Sequence, residues 1–102
     1  MGRHRVAKVG DVEIGTMRKV SVDGEDLCLA HAEDGAFYAI SDLCTHEEYS
    51  LSEGELWGLE VECPAHGSRF DLRTGQVTGL PAVTPARVYK VSVEGDDVYV
   101  EV

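Results

Sequence analysis

Two short segments carry side chains that could hold a metal: Cys44-Thr45-His46 and Cys63-Pro64-Ala65-His66, with sixteen residues between them. Thiolate and imidazole are soft and borderline ligands, used for zinc and for iron–sulfur centres. Two ligands separated by one or two residues can converge on one ion or cluster from a single tight loop. A solitary Cys is more often a small buried hydrophobe. That is the reading for Cys28, which alternates with Ala30 and Ala32. His4 and His31 stand alone and read as ordinary surface or core residues. The two pairs differ from these. Both lie beside turn formers and outside any strand pattern, so together they predict a metal site.

Two thiolates and two imidazoles suit zinc, but zinc fingers present C-x2–4-C followed by H-x3–5-H. Here each segment supplies one Cys and one His. A binuclear iron–sulfur cluster accounts for this order if the ligands sort by type, one iron taking both sulfurs and the other both imidazoles. A structural zinc domain is the alternative in a different class.

The elements that must position these ligands read as short strands. Val20 and Val22 alternate with polar residues before Asp23-Gly24, and Leu27 and Leu29 alternate after it, which is a hairpin signal. Ala36 to Ile40 form another apolar run. Tyr89, Val91 and Val93 precede the turn Glu94-Gly95-Asp96-Asp97, and Val98, Val100 and Val102 alternate beyond it. Eleven glycines leave few windows for a helix. The pattern predicts one all-β domain over 1–102, a sandwich or a small barrel. Residues 42 to 82 fit less well and read as a loop-rich insertion on a β base.

Composition narrows the partners. Nine Lys and Arg against nineteen Asp and Glu give a formal charge of −10. Nucleic acid and anionic membranes would repel such a surface, whereas a basic protein face complements it. No apolar run approaches the ~18 residues that span a bilayer. The N-terminus lacks an apolar signal region, and an odd number of cysteines argues against a disulfide framework. A cytoplasmic protein is the expectation.

The stretches DLCTHEEYSLSEGEL and ECPAHGSRFDLRTG resemble the C-x-H…C-x-x-H-G-S signature of the Rieske [2Fe–2S] family. Within that family the chain is similar to the small ferredoxin components of bacterial ring-hydroxylating dioxygenase systems. The likeness is most specific over residues 42–75 and continues more weakly through LPAVTPARVYKVSVEG. It implies an antiparallel β-sandwich base carrying a cluster-binding subdomain, about 42–82. It also implies one [2Fe–2S] cluster per chain. Cys44 and Cys63 would hold the inner iron, and His46 and His66 the outer one, with the imidazoles as the exit path.

Two ferric ions and two sulfides sum to two positive charges, so four thiolates would make a dianion, whereas two thiolates and two neutral imidazoles leave the centre neutral. Adding an electron to a neutral centre is easier. Rieske centres accordingly span roughly −150 to +300 mV, against about −400 mV for plant-type ferredoxins. In the respiratory members of the family, a disulfide ties the two ligand loops together. The matching positions here are Tyr49 and Ala65, so that bond cannot form. Those members also place a Tyr hydroxyl near a ligand sulfur, where this chain has Phe70. Ser68 is retained and could donate to a bridging sulfide. The balance predicts a low to middle potential. Gly67 would let the backbone pass close to the cluster, and Pro81 would shield its flank. Trp57, Leu56, Tyr38, Tyr89 and Tyr99 read as packing residues.

Between the ligand pairs lie Glu47, Glu48, Glu53, Glu55, Glu60 and Glu62, with no Lys or Arg. Such a run can simply be a solvated face. It can also steer an electron carrier onto basic partners, with Glu47 and Glu48 beside His46 best placed to do so. The resemblance implies a monomeric one-electron shuttle that is not itself an enzyme. It would run from an NAD(P)H-dependent flavin reductase to a terminal Rieske-type oxygenase of aromatic compounds. Two related roles remain open at this point: a small subunit of assimilatory nitrite reductase, and a ferredoxin serving iron–sulfur assembly.

Overall fold

A computed structural model describes residues 2–45, 49–65, 67–80 and 82–102. Among the described residues ten strands follow in chain order: β1 (Arg3–Lys8), β2 (Thr16–Val22), β3 (Glu25–His31), β4 (Phe37–Ser41), β5 (Glu55–Trp57), β6 (Glu60–Glu62), β7 (Arg69–Asp71), β8 (Val77–Gly79), β9 (Val88–Glu94) and β10 (Asp97–Glu101). They form two antiparallel sheets. The larger has the order β1-β10-β9-β4-β3-β2, and the smaller is the meander β5-β6-β7-β8. The expected all-β architecture is present, and no helix among the described residues is long and apolar enough to cross a membrane.

The β2–β3 hairpin follows its sequence signal. Asp23 and Gly24 both take positive φ, +50° and +82°, as a two-residue turn matched to strand twist requires. The ladder then runs in register from Val22↔Glu25 to Thr16↔His31. The large sheet curls until β1 and β2 at its two ends meet, where His4 Nε2 lies 3.4 Å from Asp23 Oδ2. Inside the curl, Val20, Val22, Leu27, Leu29, Ala39, Val98 and Val100 form one core.

Strand β3 is buried on both faces. Alternation sends Leu27 and Leu29 into the core of the curled sheet, while Cys28 and Ala30 join a second core that also holds Ala32 and Ile40. The small sheet and its loops cover this second core with Leu51, Val61, Phe70 and Leu72. Phe70 is fully buried there, a contribution of about 1.5–3 kcal/mol for a large apolar side chain.

Two features extend the reading of the sequence, and one differs from it. Strand β1 was not expected. Within the loop-rich region expected over 42–82, four strands of three residues each pair as a small sheet. Trp57 is about half exposed instead of packed away.

Candidate metal centre

Strand β4 ends at Ser41, and the next residue organises the first of the two Cys/His loops. Asp42 is buried, its amide donates to Asp26 O at 3.0 Å, and its carbonyl accepts Leu51 N–H at 2.6 Å. Its Oδ1 accepts Ser52 N–H at 2.8 Å. Leu43 bridges Ser50, and Cys44 N–H donates to Tyr49 O at 3.0 Å. Loop 44–49 is thereby closed at its base on a rigid strand end.

The second Cys/His loop connects β6 to β7. Cys63 N–H donates to Ser68 O at 2.7 Å, and Gly67 N–H to Cys63 O at 3.3 Å. Gly67 has φ +78°, a conformation that favours glycine. A Cβ there would meet only Glu62 Oε2, at 3.8 Å, so backbone conformation is the requirement visible among the described atoms.

A third loop, 80–86, ties these two together. Thr45 Oγ1 donates to Thr84 O at 2.6 Å, and Ala82 N–H donates to Ser68 Oγ at 3.0 Å. Gly75 locks the third loop to the small sheet's turn through Ala86 N–H→Gly75 O at 2.8 Å.

Cys44 and Cys63 arrive from different loops in the same apolar core, each only 3% exposed, and no disulfide joins them. Two thiol side chains brought into one dry cluster by separate loops fit a group held by two thiolates from within. His46, His66, Pro81, Glu47 and Glu48 lie outside the described residues. Ser68 and Phe70 are buried beside the second loop, at 1% and 0% exposure. Tyr49 is half exposed at the end of the first loop, and Ala65 packs against the core that holds Cys44 and Cys63.

The remaining Cys and His residues play other parts. Cys28 is fully buried, with Sγ 3.4 Å from Met17 Sδ, and burial, aided by Asp42, pushes its thiol well above the ordinary range. His31 is held between Val12 O and Gly35 O and stacks on Phe37 as a structural histidine. The sequence reading missed Asp42, Thr45 and Arg69. Only Asp42 carried a local signal, as an acidic residue between a strand end and a ligand loop.

Comparison with known proteins completes the picture. Residues 2–90 match the Rieske [2Fe–2S] domain model. The chain is 37% identical over 101 residues to the ferredoxin component of biphenyl 2,3-dioxygenase of Rhodococcus jostii RHA1, covering 99% of this chain and 94% of that protein. It superposes with a TM-score of 0.93 on the ferredoxin of carbazole 1,9a-dioxygenase from Nocardioides aromaticivorans IC177, at 40% identity over 98% of this chain and 97% of that one. A chain from a complex of reduced oxygenase and oxidized ferredoxin in carbazole 1,9a-dioxygenase matches at TM-score 0.90 and 39% identity, covering 96% of this chain and all of that one. With its paired Cys/His segments, two antiparallel sheets and these relatives, the chain belongs to the Rieske [2Fe–2S] family and has that family's cluster as its cofactor.

Proposed function

We propose that this protein is a one-electron carrier which takes an electron from an NAD(P)H-dependent flavin reductase and delivers it to a terminal ring-hydroxylating oxygenase. In this reading it acts as a monomeric cytoplasmic domain spanning 1–102, with the cluster subdomain over about 42–82. Cys44 and Cys63 are the inner ligands, and His46 and His66 the outer ones. When bound, the cluster supplies the one-electron couple. The observation carrying the reading is the convergence of Cys44 and Cys63 in one apolar core, in a chain whose relatives are ferredoxin components of dioxygenase systems.

The residues around the loops support transient docking. Leu43, Tyr49, Leu80 and Val83 are exposed apolar side chains on the first and third loops, Leu80 and Val83 at 75% and 78%. Long-range attraction between a −10 chain and a basic partner raises the encounter rate, and a small apolar contact then holds the pair briefly. Glu47 and Glu48 are the steering carboxylates in this reading. Gly67 shapes the second loop, Ser68 donates toward the cluster, Phe70 keeps its surroundings dry and Pro81 covers its flank.

The test is reconstitution with an oxygenase and a flavin reductase of this class. Substrate-coupled oxygen consumption should require this protein. The Glu47→Gln/Glu48→Gln protein should be slower at low salt and equal to the parent at high salt. Turnover independent of the protein would overturn the reading.

A further inference from the structure

The mouth of loop 63–68 is closed by Glu62 and Arg69, which face each other across β6 and β7. Arg69 Nε donates to Glu62 Oε2 at 3.2 Å, and a second guanidinium nitrogen lies 3.7 Å from Glu60 Oε1. The same guanidinium sits over the Trp57 ring on β5, 5.2 Å from its centroid. The indole N–H of Trp57 donates to Glu62 Oε1 at 3.3 Å, so Glu62 gives one oxygen to each partner. The Glu62 carboxylate also borders the left-handed turn at Gly67. One planar cation thus spans three strands and grips the residue next to Cys63. No other Lys or Arg occurs between Lys19 and Arg73.

We propose that Arg69 is a positioning residue of the redox centre: through Glu62 it fixes loop 63–68, and it supplies that loop's compensating positive charge. The proposal rests on the assignment of Cys63 and His66 as ligands. Partly exposed ion pairs contribute little to global stability, so the effect is local to the loop. Without the cation, Glu60 and Glu62 stand uncompensated beside the centre, and adding an electron there becomes harder. A lysine would keep the charge, but lacks the planar fork that can serve two carboxylates while lying on an aromatic face.

The test uses the cluster-loaded protein, with iron content and far-UV circular dichroism confirming loading and fold. Midpoint potential and the rate of iron release to a chelator are measured for Arg69→Gln, Arg69→Lys and Glu62→Gln. Arg69→Gln should lower the potential and speed iron release about tenfold, the low end of what losing a supporting group outside the ligands costs in metal affinity. Arg69→Lys should restore the potential while leaving release faster than in the parent. Glu62→Gln should raise the potential, which keeps the proposal testable if Arg69→Gln fails to load. Potentials that stay at the parent value in Arg69→Gln or Glu62→Gln overturn it. An intact cluster in Cys63→Ala, which leaves no ligating atom at that position, would instead defeat the ligand assignment on which it stands.

Discussion

The hydroxyl oxygen of Ser68 accepts the backbone amide of Ala82 at 3.0 Å, inside the protein, and so fastens the second Cys/His loop to loop 80–86. With its oxygen engaged as an acceptor, Ser68 still has its own proton to donate. Ser68→Ala removes both functions. The buried Ala82 amide loses its partner at a cost of about 1–3 kcal/mol, and the potential should fall as a donor toward the cluster disappears. Chemical denaturation and spectroelectrochemical titration check the two effects separately. An unchanged potential would deny Ser68 its donor role.

Two glycines have no room for a side chain. A Cβ on Gly54 would lie 1.8 Å from Glu62 O, and one on Gly75 would lie 2.0 Å from Ala86 O. Gly75 also has φ +79°. Neither obstacle is the end of a flexible side chain, so backbone must shift. Gly54→Ala and Gly75→Ala should each cost about 2 kcal/mol or more, as overpacking and strain do. Both variants should also lose the cluster faster, because Glu62 and Ala86 belong to the segments that build its loops. Full stability in either would mean these loops yield more readily than their hydrogen bonds suggest.

Leu80 and Val83 are more exposed than other large apolar side chains of the described residues. If they form the short-range contact with the oxygenase, Leu80→Asp/Val83→Asp should weaken that complex without changing the potential. Loss of a few buried apolar groups would raise the dissociation constant about tenfold or more. Titration with oxygenase followed by calorimetry measures it. Equal affinity would place the contact elsewhere.

Cys28 offers a chemical control. Burial, then the charge of Asp42, holds its thiol protonated well past neutrality. In the native protein, iodoacetamide at about pH 8.5, the ordinary thiol pKa, should leave Cys28 unmodified, and denaturation should expose it. Cys28→Ser should lower stability by about 1–3 kcal/mol, the cost of placing a hydroxyl in an apolar core. Rapid native labelling at Cys28 would contradict its packing.

Much of the curled sheet was legible because its strands are long enough to alternate. The β2–β3 hairpin has seven-residue strands and an Asp-Gly turn, and Cys28, Ala30 and Ala32 share a face as their spacing implies. Strand β1 was hidden because RHRVAK mixes three cations into its alternation and pairs with β10 from the far end of the chain. The small sheet was hidden because three residues are too few to display a period. The ligand types and spacing stood out in sequence, but the links between loops did not. Thr45–Thr84 and Ser68–Ala82 join distant segments, and Glu62 meets Arg69 only once β6 and β7 are in register.

Nitrogen hyperfine spectroscopy of the dithionite-reduced protein, grown with isotopically labelled histidine, tests the ligand assignment most directly. The account predicts coupling to two histidine nitrogens in the parent protein, and disruption of the two-histidine signal in His46→Ala and in His66→Ala. A reduced cluster without histidine nitrogen coupling, or one that keeps both couplings in either variant, would contradict it.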